Sequence, residues 1–248
     1  MTRFEDYKDR YQSIRLDRQD GILTVTLHTD GDSLRWSRTA YSECTEAFRA
    51  IGDDRENLVI ILAGTGAEFS GPRGFKPASG ATASAYDKAV FHLMCKDMLD
   101  NLLRIEMPVI AAVNGPVFRH AEIPLLSDII LASETASFQD SSHILSGLAP
   151  GDGQHVILPM AIGINRARYY LLTGQEISAR DAERYGLVNE VLPAEQLLPR
   201  AMELARMLVE RPPAVLRSTR LILVEQIKRN MREYLEHGLA LEALAREH

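Results

Sequence analysis

Apolar and polar positions alternate over the first thirty residues and then change period. Ser13-Ile14-Arg15-Leu16-Asp17 and Ile22-Leu23-Thr24-Val25-Thr26-Leu27 follow the period-2 pattern of half-buried strands. Arg18-Gln19-Asp20-Gly21 supplies turn chemistry between them, so the pair predicts a hairpin. From Ser37, a good N-cap, the apolar positions Ala40, Cys44, Ala47, Phe48 and Ile51 take up helical spacing. Leu58-Val59-Ile60-Ile61-Leu62, ended by Gly64, is apolar throughout and reads as a buried strand. A loop rich in Gly, Pro and Ser runs from Gly64 to about Ala83. A helix carrying Val90, Met94, Met98, Leu102 and Ile105 follows, and Pro108 stops it.

Val109–Val113 and Ile129–Ala132 predict two more buried strands, with helical segments between, so the core is α/β. Beyond Val191 the chain reads as helix alone, broken by Pro212-Pro213. This divides it into a core over 1–192 and a helical region over 193–248. Leu216, Leu221, Leu223, Ile227, Met231, Leu235, Leu239 and Leu244 make the last helix too apolar for solvent on all sides. It is expected to pack on the core or on another subunit.

Composition narrows the function. With 248 residues, 46% of them hydrophobic, the chain can bury a large core. Its net charge of −6, with both signs interspersed, argues against nucleic acid and anionic membranes as partners. Cys44 and Cys95 lack metal-ligand spacing and sit in helical patterns, so free buried thiols are expected. The charged first residues show no signal peptide, and no apolar run nears the ~20 residues of a spanning helix. A soluble cytoplasmic protein is the expectation.

Two blocks carry a resemblance. The first is Ile110-Ala111-Ala112-Val113-Asn114-Gly115-Pro116 followed by Ser127-Asp128-Ile129-Ile130-Leu131-Ala132. The second is Leu172-Thr173-Gly174-Gln175 with Tyr185-Gly186-Leu187-Val188-Asn189-Glu190-Val191. Together with Pro150-Gly151-Asp152-Gly153, they resemble the crotonase (enoyl-CoA hydratase/isomerase) superfamily. The resemblance implies a spiral of strand–strand–helix turns, C-terminal helices at subunit contacts, and trimers or dimers of trimers.

Its usual chemistry is altered. The turn that is glycine-rich in acyl-CoA-dependent members reads Phe118-Arg119-His120-Ala121, and a Cβ at each position restricts the backbone of the usual oxyanion hole. Pro72, in the loop that supplies the other oxyanion amide, has no N–H. Glu122 matches one hydratase glutamate but is read as a hydrogen-bonding residue of its helix; His143 replaces the other. Trp36, His120, His143, Asp152 and Glu242 match, position by position, the 6-oxocamphor hydrolase and related β-diketone hydrolase branch. Its camphor-active member has a histidine where Tyr41 stands, so the resemblance implies the reaction type and not a camphor-derived substrate. A phenol donates hydrogen bonds but is a poor base, with a reference pKa of about 10.

The resemblance therefore implies a cofactor- and metal-independent retro-Claisen hydrolase of a cyclic or bicyclic β-diketone. His120 with Asp152 would activate water, while His143 and the Trp36 indole N–H would polarise a carbonyl. Glu242 would orient His143 or simply face solvent, and Tyr41 and Phe75 would contact substrate. Arg73 and Lys76 would meet a substrate carboxylate or only solubilise their loop. His155 is expected to be structural. The rival readings are an acyl-CoA hydratase, isomerase or thioesterase, and a silent crotonase-fold scaffold. Zinc-deaminase spacing, a phosphate-binding glycine loop and a Gly-x-Ser-x-Gly elbow are all missing.

Overall fold

The computed structural model describes residues 2–73 and 84–245; Phe75 and Lys76 lie outside the described residues. The predicted hairpin is present as β1 (Ile14–Gln19) and β2 (Ile22–Leu27), antiparallel, with Ile14 opposite Leu27. After the short β3 (Leu34–Arg35) comes α1 (Arg38–Asp53). Ser37 caps it by accepting from the Ala40 amide at 3.1 Å, and its buried face carries the five apolar positions of the sequence pattern. The chain continues through β4 (Val59–Ala63), β5 (Ser70–Gly71) and α2 (Ala85–Arg104). Next come β6 (Val109–Val113), the single turn α3 (Glu122–Leu125), β7 (Ile129–Ser133) and β8 (Ser137–Phe138). The remainder comprises α4 (Gln154–Ile162), α5 (Ile164–Thr173), β9 (Ile177–Ser178), α6 (Ala179–Tyr185), β10 (Glu190–Leu192), α7 (Ala194–Val209) and α8 (Pro213–Ala245).

The main sheet runs β1-β2-β4-β6-β7-β10, parallel from β2 onward. A second, shorter sheet forms from β3 and β5, bridged through Val117 to β8 and β9. Each turn of the chain thus lays one strand in the long sheet, a short one in the second sheet, and then a helix. This is the strand–strand–helix spiral that the resemblance implied. β4 and β6 are buried at every position, which explains their unbroken apolar runs.

Both faces of the long sheet are covered. On one, α1 and α2 join the large core around Phe48, Met98 and Leu102. On the other, Leu197, Ala201 and Ala205 of α7, one stripe at four-residue spacing, cover Val59, Ile61, Ile110, Ala112 and Leu131. α8, 33 residues and so about 50 Å long, is anchored by Arg220. That buried guanidinium donates through Nε to Asp128 Oδ2 at 2.6 Å and also to the Ile105 carbonyl at the end of α2. Cys44 and Cys95 are buried and form no disulfide. No helix among the described residues is long and apolar enough to cross a membrane.

Candidate active site

The turn Phe118–Ala121 contains no glycine. His120 itself takes the left-handed conformation, at φ 55°, a region that costs a residue with a Cβ about 1–2 kcal/mol. Hydrogen bonds to neighbouring segments hold this turn. The Phe118 amide donates to the Ser70 carbonyl at 3.0 Å, the Ser70 hydroxyl donates to the Arg119 carbonyl, and the Ser141 hydroxyl donates to the Phe118 carbonyl at 2.6 Å. The strained turn aims the His120 side chain into the interior rather than toward solvent.

One pocket of about 490 Å³ gathers the predicted side chains: Tyr41, His120, His143, Asp152 and Glu242 all line it. Four separate segments supply them, namely α1, the turn before α3, the loop after β8 through Gly153, and α8. Trp36 stands just behind, its ring 4.4 Å from that of His120 and 4.7 Å from that of Tyr41, centre to centre. Its indole N–H is buried without a hydrogen-bond partner among the described residues.

The pairing differs from the sequence expectation in three places. The carboxylate nearest His120 is Glu122, with Oε1 2.6 Å from Nδ1, whereas Asp152 Oδ2 stands off at 3.6 Å from the same nitrogen. Glu122, read from the sequence as part of its helix, is therefore part of the site. The other His120 nitrogen, Nε2, is hydrogen-bonded to the Tyr41 hydroxyl. His143 is oriented through Nδ1 by Asp140 Oδ1 at 2.6 Å, a partner that had been given no role. A carboxylate three residues before a histidine is the local signal for it, and the string Phe138-Gln139-Asp140 also belongs to the resemblance. The His143 Nε2 faces Glu242 Oε2 at 3.6 Å and Asp152 Oδ2 at 3.7 Å, so Glu242 does not face solvent. Arg73 pairs with Glu176 at 2.6 Å and lies over the Phe118 ring. His155 Nε2 donates to the Tyr234 carbonyl at 3.2 Å, tying α4 to α8.

Burial sets the protonation pattern. It pushes His120 down to about 4, against the raising effect of Asp152, so its imidazole is neutral. Burial likewise drives Glu122 up to about 8 and Asp152 up to about 7. For His143 burial also works against the charge, but Asp152, Asp140 and Glu242 outweigh it and hold the ring as imidazolium, up to about 11. Burial lifts the Tyr41 phenol well above its ordinary range.

His120, Glu122 and Asp152 offer ligand atoms within 4.8 Å of one another, crowded enough to hold a cation. However, the 2.6 Å contact between His120 and Glu122 is a hydrogen bond with a proton between the atoms. A metal ligated there at its usual ~2.0–2.2 Å would have to displace that proton. The donor set suits proton transfer better.

The chain as a whole has close counterparts. A solved β-diketone hydrolase from the cyanobacterium Anabaena sp. PCC 7120, bound to (S)-3-oxocyclohexyl acetic acid, is 40% identical with a TM-score of 0.93, covering 97% of this chain and 96% of that one. An enoyl-CoA hydratase/isomerase structure from Mycobacterium paratuberculosis is 25% identical, TM-score 0.85, covering 96% and 94%. Among curated relatives, a carnitinyl-CoA dehydratase of Salmonella arizonae is 33% identical over 89% of this chain and 86% of its own length. The match to a probable enoyl-CoA hydratase of Mycobacterium bovis, 36% identical, covers 62% of this chain and only 56% of that protein. The enoyl-CoA hydratase/isomerase family model matches residues 17–244. With that match over nearly the whole chain, and the spiral beneath it, the chain belongs to the enoyl-CoA hydratase/isomerase family of the crotonase superfamily.

Proposed function

We propose that this enzyme hydrolyses a carbon–carbon bond of a cyclic or bicyclic 1,3-diketone, giving a keto acid. The observation that carries this reading is the pairing of a buried imidazolium, His143, with an open carboxylate oxygen in one pocket. Asp152 Oδ1 is buried with no hydrogen-bond partner among the described residues, and the group titrates near neutrality. A base is most effective with its pKa near the working pH. His120 is depressed to about 4 and hydrogen-bonded at both nitrogens, so it is poorly suited to deprotonate water.

In the proposed reaction Asp152 takes a proton from water as the oxygen bonds to one carbonyl carbon. The His143 imidazolium N–H stabilises the resulting oxyanion, with Asp140 and Glu242 holding the ring. Collapse of the tetrahedral adduct breaks the bond to the central carbon and leaves the electron pair as the enolate of the second ketone. The Trp36 indole N–H, buried without a hydrogen-bond partner among the described residues, donates to that oxygen in this reading. Protonation at the central carbon completes the keto acid. The likeness to the Anabaena hydrolase supports this reading and suggests a test substrate: the bicyclic 1,3-diketone whose hydrolysis yields 3-oxocyclohexyl acetic acid.

The acyl-CoA reading has its own support in the curated relatives, which bear acyl-CoA enzyme names. One experiment separates the two. Loss of diketone absorbance is expected with wild type, falling about 10²- to 10⁴-fold in Asp152→Asn. Unchanged turnover in that variant would remove Asp152 as base. Tight binding of coenzyme A by calorimetry, without diketone turnover, would instead establish the acyl-CoA reading.

A further inference from the structure

Three side chains the water-attack step leaves unused form an unbroken hydrogen-bonded string. Glu122 Oε1 meets His120 Nδ1 at 2.6 Å, His120 Nε2 meets the Tyr41 hydroxyl, and Tyr41 lines the pocket. The string starts at a carboxyl with no exposed surface and ends where substrate would lie. We propose that it is a proton relay, with Tyr41 as the catalytic acid that protonates the central carbon of the departing enolate. The inference rests on the hydrolase reading for its enolate but assigns a step that reading left open.

The relay balances. The Tyr41 O–H bond breaks as the new C–H bond forms. The phenolic oxygen takes the proton of His120 Nε2, and His120 Nδ1 takes the proton of the Glu122 carboxyl. The enolate's negative charge ends on Glu122, and the imidazole ends as its other tautomer. The proton stripped from water stays on Asp152, and exchange with solvent after product release moves it off Asp152 and restores the proton of Glu122. The protonation states fit this direction of transfer. Glu122 is lifted to about 8 by burial and keeps its proton at neutral pH, while the neutral imidazole can both accept and donate. Packing against Trp36 and Phe91, at 4.7 and 4.8 Å between ring centres, fixes the phenol. Arg119 Nη2 lies 3.5 Å from the Tyr41 oxygen, where a positive charge stabilises transient phenolate.

The test uses the reverse of this step alone. The wild-type enzyme is incubated with 3-oxocyclohexyl acetic acid in D₂O, and deuterium is followed by NMR at the carbons beside the ketone. Exchange into a single face of one carbon is expected for wild type. A drop of at least about 100-fold is expected in Tyr41→Phe, which keeps the ring packing, with a smaller drop in Glu122→Gln. Thermal unfolding of each variant separates loss of the relay from loss of the fold. Exchange that is absent in wild type, or unchanged in Tyr41→Phe, would overturn the relay. Tyr41-dependent exchange without diketone cleavage would overturn the hydrolase reading and leave the relay standing.

Discussion

At the scale of single residues, the site is governed by how burial treats charge. Glu122 and His120 are shifted in opposite directions because removal from water disfavours each group's charged form. This makes a signed prediction for stability. Below the ordinary glutamate value of 4.5, folded and unfolded chains both hold the Glu122 proton. As pH rises toward 8 the unfolded chain releases it while the folded chain keeps it, so this contribution falls across that window. His120 acts oppositely, its contribution being lost as pH falls from 6.5 toward 4. Glu122→Gln removes the first effect, so its stability relative to wild type should rise between pH 4.5 and 8 in denaturant titrations. Parallel pH curves would show that Glu122 is ionised in the folded protein.

At the scale of elements, the site depends on how closely α8 approaches the loop before α4. A Cβ on Gly151 would lie 2.2 Å from the Gly238 carbonyl oxygen, and one on Gly238 would lie 2.4 Å from the His155 ring. Only two glycines allow that contact, and it brings Glu242, one turn beyond Gly238, toward Asp152 and His143. Gly238→Ala should push the helix outward and lower kcat by about tenfold or more, since small displacements of catalytic groups are costly. Secondary structure by circular dichroism should be unchanged. Full activity in this variant would mean that Glu242 needs no such placement.

At the scale of the whole molecule, apolar surface remains uncovered. Leu172 on α5 and Ile222 and Leu223 on α8 are 67%, 75% and 64% exposed. Isolated exposed leucines are ordinary, but Leu221, Ile222 and Leu223 exposed together widen the apolar surface of α8. We propose that these helices meet those of identical copies, giving a trimer or a dimer of trimers. Sedimentation should then report three or six times the 27.7 kDa chain, and Ile222→Glu should shift it toward the single-chain value. A single-chain mass for the wild type would exclude this assembly.

Much of this was written in local pattern. The hairpin, the Ser37-capped helix, the buried strands β4, β6 and β7 and the C-terminal helices follow from period and capping, because burial on one or both faces imposes that spacing on neighbouring residues. The resemblance picked out Trp36, His120, His143, Asp152 and Glu242, which do converge. What the sequence could not decide was who pairs with whom. Glu122 rather than Asp152 lies on His120, Asp140 orients His143, and Tyr41 closes on His120 from 79 positions away. These choices depend on distances of an ångström between segments brought together by the spiral. The protonation states depend on burial, and both are properties of the packed chain alone.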